Sequence, residues 1–206
     1  MNIKIDKVES NLSDEEAERI MGEYEKQLDI PKNKPAKLIM LCPIGLVGSG
    51  KTTVIKPLSE KLSLLRISTD EIRKILKENS YDYNRVEELA IKLSEKYIRQ
   101  GYSIAIDADC ISERLQKYIN ELKGEYGSKL FWIHINPPEK FIINKLKNYK
   151  HTWLFKNSKQ AIENYKQRKS LHRSLKFPFI YEFDTSKSNL NKQIEEASKI
   201  IKDIVN

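Results

Sequence analysis

The sequence predicts an α/β protein built on a five-stranded parallel sheet. From Lys37 onward, short apolar segments alternate with amphipathic stretches of helical period, and this alternation is typical of βαβ units. The length of 206 residues suits one domain of this class. Both observations favour a single sheet that carries helices between its strands.

Each predicted strand is short, mostly apolar and followed by polar residues, Gly or Pro, as expected for buried parallel strands. The five segments are Leu38–Cys42, Leu64–Ser68, Ser103–Asp107, Leu130–Ile135 and Phe179–Phe183. Between and after them, amphipathic faces predict helices, including one from Thr53 to Leu62 and one near the C-terminus.

An N-terminal helix is predicted from Ser13 to Leu28, because its apolar residues recur at helical spacing and Ser13 with Glu16 forms a capping box. Two prolines in 31–35 then bracket a polar linker. We therefore expect residues 1–36 to be a helical extension with a linker and residues 37–206 to form the main domain.

Composition excludes several classes of protein. With 7 Gly, 7 Pro and 39% apolar residues, the chain is neither disordered nor collagen-like, and no apolar run suits a membrane span. Its charged start lacks the features of a signal peptide, so the expectation is a cytoplasmic protein without membrane contact. Cys42 and Cys110 have no metal-ligand spacing and are expected to be reduced and mostly buried. The net charge of +8 would attract anionic partners such as ATP or nucleic acid. Alternatively, it reflects only a surface of solvated lysines.

A phosphate-binding loop is the most specific motif. The segment 45–52 fits G-x-x-x-x-G-K-[ST] between a predicted strand and a predicted helix. Its glycines let backbone N–H groups converge on a phosphate, Lys51 would bridge the β- and γ-phosphates of ATP, and the Thr52 hydroxyl would bind Mg²⁺. The predicted nucleotide-binding residues are Gly45, Leu46, Val47, Gly48, Ser49, Gly50, Lys51, Thr52 and Thr53.

Carboxylates follow the second and third predicted strands, at the edge where α/β proteins bind ligands. Asp70 could accept the proton of an attacking hydroxyl, and Arg73 could hold an anionic part of the acceptor. Asp107 is predicted on the metal side and Asp109 in the acceptor cleft. The alternative is that Thr69 or Asp70, and likewise Asp107 or Asp109, cap the helices that follow.

These three blocks resemble the P-loop kinases that include polynucleotide 5′-hydroxyl kinases, zeta-toxin-type kinases and small-metabolite kinases. The resemblance rests on Gly45 to Thr53, on Ser68 to Arg73 (x-x-D-x-x-R) and on Ile106 to Arg114 (D-x-N-x-x-x-E-R). It implies a three-layer sandwich with strand order 2-3-1-4-5, ATP and Mg²⁺ as co-substrates, Asp70 as general base and Arg73 as a contact to a substrate phosphate.

The match departs from the family pattern at two points. Asp109 replaces the family's Asn, and the lid predicted around 140–176 has lysines instead of arginines in 140–150, where Lys145, Lys147 or Lys150 could substitute. Arg168 and Arg173 could also reach in from the next helix.

The phosphoryl acceptor stays open between several classes. A basic and aromatic stretch over 153–176 favours a polynucleotide 5′-hydroxyl, unless its apolar residues simply pack a lid helix with a solvated basic side. A sugar, nucleoside or nucleotide-sugar is the alternative acceptor. A nucleotide-dependent binding or switch protein with incidental ATPase activity is a third possibility.

Overall fold

A computed structural model describes residues 9–149, 154–173 and 176–205 of the chain. Its strands are β1 Ile39–Ile44, β2 Leu65–Ser68, β3 Ile104–Asp107, β4 Lys129–Ile135 and β5 Phe179–Phe183. They form one sheet in the order β2-β3-β1-β4-β5, in which every pairing is parallel. The predicted fold class and strand order are therefore confirmed.

The helices lie on both faces of this sheet. They are α1 Asp14–Glu25, α2 Lys51–Leu62, α3 Thr69–Glu78, α4 Val86–Arg99, α5 Glu113–Tyr126, α6 Glu139–Lys147, α7 Ser158–Arg173 and α8 Leu190–Val205. One core packs α1, α3, α4 and α5 against one face, and a second core packs α2 and α8 against the other. Because β1 alternates between them, with Met40 in the first core and Leu41 in the second, both of its faces are buried.

Three predicted boundaries differ from the structure by two residues or more, and several strand starts differ by one. Strand β1 continues past Pro43 to Ile44, because β4 pairs with it over its whole length. Helix α2 begins at Lys51, inside the loop motif, and not at Thr53. Helix α1 ends at Glu25 and not at Leu28, since the chain leaves the helix at Lys26, while Leu28 still packs against the core.

Helix α1 belongs to the main core. The predicted capping box is confirmed, because Ser13 and Glu16 exchange both hydrogen bonds. Ala17, Ile20 and Tyr24 are at most 1% exposed and pack with α3 and α4. The division at residue 36 stays a prediction. In the described part of the chain, no helix has both the length and the apolar composition for a membrane span.

Helices α6 and α7 form a small third cluster beside the phosphate-binding loop. Ile142, Leu146 and Tyr165 are buried in it, and Leu46 and Val47 of the loop pack against it. The apolar face predicted on α7 is therefore present, and it rests against the loop. Trp153, His151 and Lys150 lie outside the described residues, as does the Arg173 side chain.

Candidate active site

The phosphate-binding loop has the backbone geometry that its glycines predict. Gly48 and Gly50 have positive φ angles of 80° and 92°, which L-residues with side chains rarely adopt. Gly50 is the N-cap of α2, and no side chain caps this helix end. The first N–H groups of α2 are thus left to an anion, and the helix dipole favours one there.

Neighbouring elements hold the loop in this shape. A Cβ on Gly45 would come within 2.8 Å of the Ile135 carbonyl oxygen, and one on Gly48 within 2.9 Å of Leu146 Cδ2. After β5, Thr185 donates its hydroxyl to the Ser49 carbonyl at 2.6 Å. The loop is therefore packed between β4, α6 and the end of β5.

Lys51 and Thr52 connect the loop to the strands beside it. The Lys51 ammonium donates to the carbonyls of Gly45 at 2.6 Å and Leu46 at 3.2 Å, so it folds back over the loop. The Thr52 hydroxyl donates to Asp107 Oδ1 at 3.3 Å. Because β3 lies next to β1, Asp107 reaches the start of α2.

Asp107 is buried and shared between two partners. Its Oδ2 accepts from Arg66 of β2 at 2.7 Å, and Arg66 in turn pairs with Glu71. Burial raises the pKa of Asp107, although Arg66, Thr52 and Lys51 act against this rise. A carboxylate in such surroundings is stabilised by a further cation.

The donor set at this point fits a hydrated Mg²⁺. A hydroxyl and a carboxylate oxygen are the hard ligands that Mg²⁺ prefers, and most of its other positions are usually filled by water and substrate phosphates. Within the described ranges, no three His, Cys, Asp or Glu side chains are grouped to hold a metal by themselves. Thr52 and Asp107 therefore suit a metal that arrives with the nucleotide.

Asp70 and Arg73 lie together at the end of β2. The Arg73 guanidinium donates to Asp70 Oδ1 at 2.6 Å and to Thr69 Oγ1 at 3.1 Å. The Asp70 side chain is half exposed, whereas that of Arg73 is mostly buried. Thr69 donates to the Asp107 carbonyl at 3.4 Å, which brings this pair next to the loop.

The capping alternatives are wrong for both strand ends. Ser68 is the N-cap of α3 and accepts from the Glu71 N–H, so neither Thr69 nor Asp70 caps that helix. Ser112 is the N-cap of α5 and accepts from the Leu115 N–H. The carboxylates of Asp70, Asp107 and Asp109 are therefore available for other contacts.

Asp109 joins the loop to α7. Its Oδ1 accepts from the Gly45 N–H at 3.3 Å, and its Oδ2 lies 3.0 Å from His172 Nε2 and 3.2 Å from an Arg168 nitrogen. Burial would raise the pKa of Asp109, but the His172 hydrogen bond and the charges of Lys51 and Arg168 lower it overall. This carboxylate therefore holds α7 against the start of the loop.

Lys145 of α6 and Tyr149, just after this helix, have pKa values that respond to charges of the site. Partial desolvation of its ammonium, followed by the charge of Lys51, lowers the pKa of Lys145, so these two cations are close. Burial, and next the Asp70 charge, raises the pKa of Tyr149 to about 12. Burial raises the pKa of Tyr83, and the charge of Arg73 acts against this rise. The end of α6 lies against the loop, because Leu146 packs beside Gly48 and Leu46.

The sequence predicted many of these side chains but not others, among them Arg66, Thr185 and Tyr24. Arg66 was hidden in a predicted strand, although a charge inside an apolar run signals a buried partner. Thr185 follows β5 without any motif. Tyr24 of α1 accepts from the Ser68 N–H at 2.7 Å, and no spacing in the sequence links those two positions.

The remaining candidates lie outside this constellation. His134 is a strand residue, as predicted, and pairs with Glu182 at 2.6 Å while stacking on Phe179. Cys42 and Cys110 are free thiols, fully buried as expected.

The parallel sheet, the loop and the strand-end carboxylates define a P-loop nucleotide-binding protein of the kinase type. The chain belongs to the family described as AAA domain, whose model matches residues 38–172. The predicted resemblance to the P-loop kinase group is thereby confirmed. No curated protein matches the sequence.

Solved structures share this fold at low sequence identity. The Mycobacterium tuberculosis APS kinase CysC, in complex with AMPPNP and APS, has a TM-score of 0.57 and 14% identity, over 82% of this chain and 99% of that one. A gluconokinase from Sinorhizobium meliloti has a TM-score of 0.52 and 14% identity, over 84% of this chain and 95% of the other.

A structure of the PezAT chromosomal toxin-antitoxin system of Streptococcus pneumoniae has a TM-score of 0.56 and 14% identity. It covers 94% of this chain and 97% of its own, so this match includes residues that the other two leave out.

Proposed function

We propose that this protein is an ATP-dependent kinase that transfers the γ-phosphoryl group to a hydroxyl of a small, anionic acceptor. One observation carries the proposal: the Asp70–Arg73 pair lies at the end of β2, one contact away from Asp107, which itself touches Thr52 of the loop. A base, an anion-binding cation and a phosphate-binding loop thus share one cleft.

On the donor side, the loop N–H groups and Lys51 would hold the ATP phosphates. Lys145 adds a second ammonium beside Lys51, and we assign to it the position that arginines occupy in the lids of related kinases. Thr52 and Asp107 would hold Mg²⁺, directly and through water respectively. When bound, this ion neutralises charge on the β- and γ-phosphates.

On the acceptor side, Asp70 would take the proton of the attacking hydroxyl. As the oxygen of that hydroxyl bonds to the γ-phosphorus, the bond to the β–γ bridging oxygen breaks and ADP leaves. Arg73 would hold an anionic group of the acceptor, and Tyr83 with Tyr149 would supply aromatic walls. The protein's contribution is position and charge, without a covalent intermediate.

The basic residues of α7 favour a small acceptor over a polynucleotide. Arg168 and His172 face Asp109, and Lys169 pairs with Glu139. These three side chains are therefore engaged by carboxylates of the same chain instead of forming a continuous phosphate-binding surface. APS kinase and gluconokinase, by their names, act on small molecules, and both share the fold.

A polynucleotide 5′-hydroxyl is the second candidate acceptor. Lys156, Lys159 and Lys166 are exposed on and before α7, and the net charge is +8. Such a surface would track a phosphate backbone, so binding to an oligonucleotide should weaken steeply as salt rises.

The test is a transfer assay with ATP labelled on the γ-phosphate. Sugars, nucleosides, nucleotide-sugars and sulfated or phosphorylated alcohols form one arm, and oligonucleotides with free 5′-hydroxyls form the other. We expect label on a small anionic alcohol. Label on oligonucleotides alone would replace the small acceptor by the second candidate, and release of free phosphate in every arm would instead favour a switch or binding ATPase.

A further inference from the structure

Helix α1 reaches the candidate site through one tyrosine hydroxyl. Tyr24, near its C-terminal end, is 1% exposed. Its oxygen accepts from the Ser68 N–H at 2.7 Å and its O–H donates to Glu71 Oε2 at 3.3 Å. Burial raises the pKa of this phenol, so it stays protonated and keeps donating to Glu71 at neutral pH.

Two branches lead from this hydroxyl into the site. Ser68 ends β2 and caps α3, whose first turn carries Asp70. Glu71 pairs with Arg66, Arg66 pairs with Asp107, and Asp107 accepts from Thr52. One branch therefore ends at the predicted base and the other at the predicted metal ligands.

The contact has features that a packing contact lacks. The Ser68 N–H is a buried donor, and without the Tyr24 oxygen it would lose this partner inside the core. Glu71 is partly exposed, with 44% of its side chain accessible, so its position beside Arg66 depends on the groups that hold it. Tyr24 supplies one of these, from a helix outside the matched family segment of 38–172.

We propose that Tyr24 is a positioning residue for phosphoryl transfer, which sets Asp70 through Ser68 and sets Asp107 through Glu71 and Arg66. The inference rests on the proposed function and extends it, because it makes α1 part of the catalytic unit. Tyr24 acts through other residues and does not touch the substrate.

A matched control lies on the same helix interface. Tyr81 also joins α1 to the body through a hydroxyl, which donates to Glu16 Oε1 at 2.6 Å. Its partner, Glu16, hydrogen-bonds with Ser13 at the N-terminus of α1 and contacts no residue of the candidate site in these bonds. Both Tyr24→Phe and Tyr81→Phe remove a hydrogen bond that joins α1 to the body. Only Tyr24→Phe also breaks the series of hydrogen bonds that reaches Asp107.

The first measurement is steady-state transfer to the acceptor found in the labelled-ATP screen. For Tyr24→Phe we expect kcat to fall about tenfold or more, with the KM for ATP raised only several-fold. Tyr81→Phe should lower thermal stability and leave kcat within about twofold of wild type. Equal kcat values for wild type and Tyr24→Phe would overturn the inference.

A second variant keeps the inference testable if Tyr24→Phe does not fold. Glu71→Gln changes a partly exposed side chain and should also lower kcat by a larger factor than it raises the KM for ATP. In the double variant the two losses should overlap, because both residues act along one chain. Losses that simply multiply, or a normal kcat in Glu71→Gln, would contradict it.

A binding measurement separates this inference from the kinase proposal. AMPPNP affinity is measured with Mg²⁺ and with EDTA, and the gain given by Mg²⁺ reports on Thr52 and Asp107. We expect this gain to shrink several-fold in Tyr24→Phe and to stay unchanged in Tyr81→Phe. If no acceptor is ever labelled, the kinase proposal fails. An unchanged increase of AMPPNP affinity by Mg²⁺ in Tyr24→Phe would instead contradict the positioning role of Tyr24.

Discussion

Asp107 and Asp109 are two residues apart, yet their surroundings shift their pKa values in opposite directions. Asp107 has its pKa raised by burial, while one guanidinium and one hydroxyl compensate only in part. Asp109 is also buried, but Arg168, His172 and Lys51 together lower its pKa. Asp107 is therefore suited to bind a cation that arrives with the nucleotide. Asp109 is ionised, and neighbouring groups of the fold already compensate its charge.

Lys145 should contribute to ATP binding and Lys147 should not. Lys145→Met removes an ammonium beside Lys51, and we expect about a tenfold loss of ATP affinity, the usual worth of a charge-assisted hydrogen bond. Isothermal titration calorimetry with AMPPNP and Mg²⁺ measures it. Lys147→Met, at an exposed position two residues further along α6 and therefore on another side of the helix, is the control and should bind normally. Equal affinities for both variants would remove Lys145 from the site.

Helix α7 depends on Asp109 for its position beside the loop. The carboxylate joins the Gly45 N–H to His172 and Arg168, so one side chain links two elements that are far apart in sequence. The apolar cluster of α6 and α7 adds contacts to Leu46 and Val47. The predicted lid is thereby attached to the loop by a polar and an apolar contact.

Asp109→Asn should loosen α7 without unfolding the sheet. The amide keeps the shape but loses the charge that faces Arg168 and His172, at an expected cost of about 1–3 kcal/mol. Hydrogen–deuterium exchange should become faster in α7 and stay slow in β1, β3 and β4. Unchanged exchange in α7 would mean that the apolar cluster alone holds this helix. If Asp109 were instead an acceptor ligand, the variant would raise the acceptor KM with α7 protected as before.

Helix α1 carries a pH-dependent contribution at its N-terminus. Hydrogen bonds from Tyr81 and then from the Ser13 backbone and hydroxyl lower the pKa of Glu16 from 4.5 to about 2. Because the folded pKa lies below the unfolded one, the ionised carboxylate stabilises the fold above about pH 4.5, and this stabilisation is lost as pH falls toward 2.

Glu16→Gln should therefore be less stable than wild type at pH 7, with the gap closing between about pH 4.5 and 2. Urea unfolding at several pH values measures it. Glu15→Gln, exposed in the same turn, controls for the loss of one charge. A gap that stays constant with pH would show that the cap acts by shape alone.

The architecture of the whole chain could be predicted because its central strands, β1 and β3, are buried on both faces. Leu38–Cys42 is a continuous apolar run, and Leu130–Ile135 is broken only by His134. The loop motif located the first strand, although this strand ends two residues later than predicted. The contacts of Tyr24, Arg66 and Thr185 could not be predicted in this way. They depend on which elements meet in space, and neither periodicity nor spacing reports that.

The site as a unit combines a P-loop, two strand ends, α1 and the α6–α7 cluster. The sheet order puts β3 between β2 and β1, so Asp107 can contact Thr52 on one side and Arg66 on the other. Asp70 lies at the β2 end of this row, where it pairs with Arg73. The proposed kinase activity depends on this carboxylate at the acceptor side of the cleft.

Phosphoryl transfer by Asp70→Asn, compared with wild type on the labelled acceptor, is the decisive measurement. Asparagine keeps the shape of Asp70 but cannot take the hydroxyl proton, so kcat should fall about 100-fold or more while AMPPNP affinity stays the same. Glu78→Gln, an exposed carboxylate at the other end of α3, should retain full activity. Full transfer by Asp70→Asn would contradict the assignment of this residue as the base and, with it, the proposed kinase cleft.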